Sequence, residues 1–167
     1  TRSKGVPAVP GVALGDVAGG SLTAALRICA ALVQRERTGL GGWLDVSMTE
    51  GAMALMAPIV AGVSASGSRP RPGGEILTGG SPRYRVYRCA DGRFLAVAAL
   101  EPKFWSALCE VVGREVETDP AELERVFMTK SRDDWAERLG QACCEPVLEI
   151  DELGEHPQHQ HRRSVTS

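Results

Sequence analysis

Three stretches of the sequence predict an α/β protein built in successive parts. Apolar residues at Leu22, Ala25, Leu26, Cys29, Leu32 and Val33 recur at helical spacing with one buried face. Two β-prone runs, residues 84–89 and 94–99, flank Ala90-Asp91-Gly92-Arg93, and Asp-Gly between such runs signals a hairpin. Between helix and hairpin, residues 65–80 are crowded with Ser, Gly, Pro and Arg, the composition of a linker. The expected organisation is therefore a first part over 1–64, a linker over 65–80, a smaller α+β domain with a hairpin sheet over 81–150, and a trailing segment over 151–167.

The elements follow in order. Residues 1–14 carry Gly5, Pro7, Pro10 and Gly11 and read as an irregular, extended lead-in. Asp16 sits in a glycine-rich turn, and the apolar helix follows it until Thr38-Gly39 ends it. Residues 43–48 alternate, with Leu44, Val46 and Met48 on one face, which predicts a short strand. Thr49 is placed to cap a helix over 50–63, with a kink at Pro58. In the second half, residues 94–99 are apolar on both faces, as a central strand would be. Glu101-Pro102 starts a helix that turns Phe104, Trp105, Leu108, Val111 and Val112 inward and stops at Gly113. Asp119-Pro120 starts another, ending near Met128. Ser131-Arg132-Asp133-Asp134 starts a third, through Gln141, with Trp135 and Leu139 inward. Residues 146–148 are expected to be extended and 149–154 to form a turn of helix, ahead of a polar tail.

Composition bounds the function. With 167 residues, 43% hydrophobic and 24% charged, the chain has the make-up of a soluble globular protein. A net charge of -2 argues against a nucleic-acid partner. The longest apolar run, 51–63, contains Pro58 and is too short for a membrane span, and no secretory signal is visible. Five cysteines without a C-x-x-C pair read as reduced cytoplasmic thiols, and Cys143-Cys144 as buried and unreactive. His156, His159 and His161 lie in the polar tail without supporting carboxylates, so no metal is expected there. The chain begins at Thr1, which suggests a piece of something longer.

Two carboxylates stand in suggestive places. Asp16 lies between glycines at the start of a helix, where free N–H groups and the helix dipole favour an anion. A helix cap and a reactive carboxylate are equally good readings of it. Glu101 begins a helix beside Pro102, and a structural acid and a catalytic one are again equally good readings. Gly15, Gly19 and Gly20 would let a ligand approach the backbone closely. Their spacing is not the dinucleotide fingerprint.

The ordered set Leu14-Gly15-Asp16-Val17-Ala18-Gly19-Gly20, Arg35-Glu36-Arg37-Thr38-Gly39, Leu44-Asp45-Val46-Ser47-Met48, Asp91-Gly92-Arg93 and Leu100-Glu101-Pro102-Lys103-Phe104-Trp105 resembles the family III CoA-transferases. So do Thr129 to Trp135 and Glu145-Pro146-Val147-Leu148, in the same order. The resemblance implies a fragment of a Rossmann-like, CoA-binding large domain followed by the smaller domain. It implies an acyl-CoA thioester as substrate and no tightly bound cofactor. Asp16 matches the family's catalytic aspartate: a nucleophile in the transferases, one member of a proton-transfer pair in the racemases. Glu101 matches the glutamate that supports the partner His of the racemase branch, a His expected upstream of Thr1. Gly79 and Gly80 match a loop that shields the aspartyl intermediate. The form of residues 100–105 is racemase-like. Family members are interlocked homodimers of more than twice this length, so a truncated chain would carry Asp16 and Glu101 without turning over alone. A non-catalytic fragment or split subunit is the expectation from another class.

Overall fold

The computed structural model describes residues 2–3, 6–7, 9–113 and 119–165. Part of the expected lead-in, including Gly5, lies outside them. The chain divides into two compact units, Thr1–Pro72 and Gly73–Ser167.

The first unit opens with a two-stranded antiparallel ribbon, β1 (Arg2–Ser3) against β2 (Val6–Pro7). A π-helical segment, Leu14–Leu22, then runs without a break into α1 (Thr23–Thr38). The helix ends at Gly39, whose φ of 72° takes the left-handed cap and whose N–H donates to the Arg35 carbonyl at 2.8 Å. Asp16 is therefore inside a helix, on its first turn, and not in a turn ahead of one. The periodicity locates the helix, but its start is hidden because glycines at 15, 19 and 20 read as loop residues. The combined helix Leu14–Thr38 is long and apolar enough to cross a membrane by length and composition.

The strand expected over 43–48 does not form. Among the described residues nothing pairs with this stretch, and a strand without a ladder leaves its N–H and C=O groups unpaired. One of them is taken up by a side chain: Arg27 Nη1 donates to the Asp45 carbonyl at 2.9 Å. Met48 instead opens α2 (Met48–Ala54). Its cap is Ser47, not Thr49, with Ser47 Oγ accepting from the Glu50 N–H at 3.3 Å. α3 (Ala57–Ser66) follows at a bend of 60°. The break falls just before Pro58, whose ring has no N–H to donate and would clash with the carbonyl four residues back.

The second unit holds a three-stranded antiparallel sheet in the order β3-β4-β5. β3 (Tyr84–Arg88) and β4 (Phe94–Ala98) form the hairpin, paired from Tyr84↔Ala98 to Arg88↔Phe94. β4 is central, as its two-sided apolar character requires. β5 (Cys144–Pro146) flanks it, two residues earlier than the extended piece expected at 146–148. Cys143 takes a left-handed φ of 56° and its carbonyl accepts from the Ala98 N–H at 2.9 Å, so the ladder begins before the pattern suggests.

Three helices cover one face of the sheet. α4 (Pro102–Val112) starts at the Glu101 cap and stops at Gly113. α5 (Pro120–Phe127) starts at Asp119, whose Oδ1 accepts from the Ala121 N–H at 2.9 Å. α6 (Arg132–Leu139) starts at Ser131 and gives way to a 3-10 turn at Gly140–Ala142. Tyr87, Leu95, Leu108, Leu123, Phe127 and Leu139 are sealed from solvent between sheet and helices. Each such side chain contributes about 1.5–3 kcal/mol of burial. Val111, expected inward, is 41% exposed. Residues 150–155 form turns and not a turn of helix. The polar tail holds a short helix, α7 (Pro157–Arg162), where the His156 and His159 rings meet edge to face at 5.3 Å.

Candidate active site

Asp16, Gly15, Gly19 and Gly20 share the π-helical segment of the first unit. Among the described residues the Asp16 carboxylate is exposed and accepts no hydrogen bond. It does not cap the segment: that position is Ala13, which makes no side-chain bond. Asp16 lines a hollow of about 480 Å³ together with Pro10, Val12, Leu14 and Gly15. A carboxylate at the N-terminal turn beside such a hollow is free to meet a ligand.

The segment's wide register is supported by hydroxyls. Ser21 Oγ donates to the Asp16 carbonyl at 2.9 Å, and Thr23 Oγ1 to the Ala18 carbonyl at 3.2 Å. The two inner glycines face α2. A Cβ on Gly19 would come within 2.7 Å of the Met48 carbonyl oxygen and 2.8 Å of the Ala52 nitrogen. A Cβ on Gly20 would lie 3.0 Å from the Met48 side chain. Gly15 alone among the three has nothing within 4 Å. Gly51 on α2 is the counterpart: a Cβ there would collide with the carbonyl group of Gly19. Sequence reading missed this crossing, because Gly51 stands in an Ala- and Met-rich helix with no local signal of its purpose.

The remaining candidates belong to the second unit. Gly79, at φ 99°, ends the 3-10 turn Ile76–Thr78, whose start is a capping box between Glu75 and Thr78. Gly80 packs against the Gly74 and Glu75 carbonyls, and its N–H donates to the Glu75 carbonyl at 3.0 Å. This loop is tied to the hairpin. Tyr84 N–H donates to the Ser81 carbonyl at 3.1 Å, and Tyr87 Oη donates to the Pro82 carbonyl at 2.8 Å. Burial pushes the Tyr87 hydroxyl up to about 12, so it stays protonated and donating. A cavity of about 550 Å³ opens where Leu77, Thr78 and Gly79 meet Tyr84, Val86 and Ala96. Its volume falls in the range of small-ligand sites. Glu101 is exposed at the head of α4, where its carbonyl accepts from the Phe104 and Trp105 N–H groups at 3.0 and 3.1 Å. Nearby, the Arg83 guanidinium lies 4.6 Å from the centre of the Trp105 ring.

One polar cluster was not foreseen. Arg132 is 3% exposed and grips Glu152 with two nitrogens, at 2.6 and 2.7 Å. Two further donors go to Asp133 Oδ1 at 2.8 Å and the Val147 carbonyl at 2.9 Å. Arg93 Nη1 adds a third contact to Glu152 at 2.9 Å. The hydrogen bonds from Arg132 hold the Glu152 carboxyl down to about 2, well below its ordinary range. This cluster fastens the turns after β5 to α6 and contains no group poised for catalysis. Among the described residues no three His, Cys, Asp or Glu side chains are grouped to hold a metal ion.

Cys89 and Cys144 are buried, and burial raises their thiols to about 11 and 12. Cys143 is only half-buried, so the pair is not sealed as a whole.

The first unit presents an exposed carboxylate on a wide helical turn, and the second a loop-covered sheet with a cavity. The fold is shared with two crystal structures of a hypothetical protein of Mycobacterium tuberculosis, Rv3272. Its TM-scores are 0.73 and 0.74 at 23% and 22% identity, over 96% and 98% of this chain and 47% and 46% of that one. The CoA-transferase family III pattern matches residues 1–167, and the chain belongs to that family. A CaiB/baiF CoA-transferase family protein of Caenorhabditis elegans is 38% identical over 96% of this chain and 50% of its own. The human alpha-methylacyl-CoA racemase is 34% identical over 99% of this chain and 47% of its own. A succinyl-CoA--D-citramalate CoA-transferase of Chloroflexus aurantiacus is 32% identical over 70% of this chain and 30% of its own. The chain thus spans about half the length of the first two relatives.

Proposed function

We propose that the whole protein processes acyl-CoA thioesters and that its reaction is proton exchange at the acyl α-carbon. The supporting observation is the extent of the match. Racemases align with 98% and 99% of this chain, whereas transferases of named acids align with 68–70%. In this reading Asp16 takes or returns the α-proton, whose acidity comes from the neighbouring thioester carbonyl. Glu101 orients the second acid–base group, a His from outside this chain. Gly15 stands beside the substrate, while Gly19 and Gly20 shape the turn that carries Asp16. Gly79 and Gly80, at the end of the linker, border the acyl-CoA. Residues 1–64 are then part of the large CoA-binding domain, 65–80 the linker, 81–150 the small domain, and 151–167 the start of the return segment. The exposed apolar faces of α1, with Leu26 at 72% and Val33 at 53%, suit a helix covered in the whole enzyme and not a membrane span. A cytoplasmic homodimer using CoA thioesters as substrate, with no bound cofactor, completes the proposal.

The test incubates the whole protein, including the part that supplies the partner His, with a 2-methylacyl-CoA in deuterated water. Deuterium at the α-carbon is expected, and its loss in Asp16→Asn. Wild-type protein that leaves the α-carbon unlabelled refutes the racemase reading. The exposed Asp16 carboxylate, unpaired among the described residues, also suits a second reading, CoA transfer through a covalent aspartyl intermediate. There, hydroxylamine trapping in the presence of acyl-CoA marks Asp16; an unmodified Asp16 refutes it. Failure of both assays leaves the non-catalytic subunit.

A further inference from the structure

We infer that Gly51 is a positioning residue for the Asp16 carboxylate, an inference that rests on Asp16 being the reacting group. A π-helical register is rare, is found mostly as short pieces, and is frequent at functional sites. Here it spans nine residues and carries Asp16 on its first turn. Such a register needs support beyond its own backbone hydrogen bonds. The hydroxyls of Ser21 and Thr23 supply part of it, each reaching back five residues to a carbonyl. The rest comes from α2. Gly51 lies directly against the backbone of Gly19, and Gly19 against the backbone of Met48 and Ala52. The atoms nearest an added Cβ at Gly19 and at Gly51 are all backbone, which cannot rotate aside to absorb a shift. α2 is itself fixed by the Ser47 cap, and the Gly51 N–H donates to the Ser47 carbonyl at 3.1 Å. Gly19 is three residues from Asp16 on the same segment. Whatever sets the depth of Gly19 against α2 therefore sets the position of Asp16.

A methyl group at position 51 would overlap the Gly19 carbonyl by more than 1 Å relative to ordinary van der Waals contact. Its obstacle is backbone, which cannot rotate aside as a side chain can. The π-helical turn must move, and a displacement of about 1 Å at a reacting group costs on the order of 10²-fold in rate.

The experiment compares Gly51→Ala, Gly62→Ala and Ser21→Ala in the whole protein that includes the partner His. Gly62 is the control: it is a glycine inside α3 with nothing within 4 Å of an added Cβ. The readouts are kcat and KM with a 2-methylacyl-CoA and the yield of the hydroxylamine adduct at Asp16. Each is normalised to the folded fraction by circular dichroism. Gly51→Ala is expected to lower kcat or adduct rate by about 10²-fold with KM unchanged. Gly62→Ala keeps wild-type kcat. Wild-type kcat in folded Gly51→Ala, or a loss no larger than the loss of folded protein, overturns the inference. If Gly51→Ala does not fold, Ser21→Ala decides. It deletes only the hydroxyl that holds the Asp16 carbonyl, so a severalfold lower kcat at constant KM supports the inference and wild-type kcat overturns it. Full activity in Asp16→Asn, or neither exchange nor adduct in the wild type, removes the reading of Asp16 itself and the inference with it.

Discussion

Replacing Tyr87 by Phe isolates one hydrogen bond between the core and the glycine loop. The Tyr87 ring is 2% exposed and packs against Phe127, tilted by 42° with centroids 5.0 Å apart, and a Phe ring keeps that packing. Only the bond from Tyr87 Oη to the Pro82 carbonyl, 2.8 Å long, is lost. Pro82 is half-buried, so water reaches the freed carbonyl and the full desolvation penalty does not apply. The net cost is therefore about 1 kcal/mol, not the roughly 3 kcal/mol of a sealed, orphaned group. Because Pro82 follows Gly79-Gly80-Ser81, the cost falls on the loop. Hydrogen exchange followed by mass spectrometry reads it. About 1 kcal/mol of lost local stability speeds exchange about fivefold at the Gly80 and Tyr84 amides, whose acceptors are the Glu75 and Ser81 carbonyls. The Leu95 amide, in the central strand, keeps its rate. Unchanged exchange at Gly80 and Tyr84 would refute the tether. A uniform increase that included Leu95 would show that the hydroxyl supports the whole unit and not the loop.

Other outcomes follow from the same contacts. The folded carboxyl of Glu152 lies at about 2, below its ordinary 4.5, so its contribution is complete above pH 4.5 and is lost as pH falls from there towards 2. Glu152→Gln should therefore melt below wild type near neutral pH, with a gap that narrows by about pH 3 in thermal scans; a constant gap contradicts the assignment. Ser47→Ala removes the cap of α2 and should cost about 1 kcal/mol in urea unfolding, while Thr49→Ala should cost less than half of that. A thiol reagent applied to native protein should modify exposed Cys29 and spare Cys89 and Cys144, whose burial raises them to about 11 and 12; all should react after denaturation.

What the sequence discloses depends on how local the cause is. The hairpin is readable because Asp91-Gly92 solves the turn within four residues. α4 is readable because Pro102 and Gly113 mark its ends, and α5 and α6 because Asp119 and Ser131 are cap residues. Residues 43–48 carry a strand pattern, but a strand needs a second strand, and none of the described residues supplies one. Val111 satisfies the helical period yet falls at the edge of the covered face. At the candidate site, Asp16 stands out by its neighbours, but the π register and the contact with Gly51 depend on residues 32 positions apart in sequence from Gly19. Arg132 and Glu152 look like ordinary surface charges because their partnership closes over 20 residues.

The carboxylate of Asp91 is shared. Its Oδ1 accepts from the Arg93 N–H within the turn at 3.1 Å, and its Oδ2 accepts from the Arg132 N–H at the head of α6 at 3.0 Å. A hairpin tip is ordinarily where a chain accepts an inserted peptide or a tag without harm. This one does not have that freedom. Residues inserted between Ala90 and Gly92 could rebuild a turn, yet they would carry the carboxylate away from α6 and leave the Arg132 N–H without its acceptor. The site for grafting a label or a foreign loop onto this unit is therefore elsewhere, and the tip of the hairpin is as constrained as its strands.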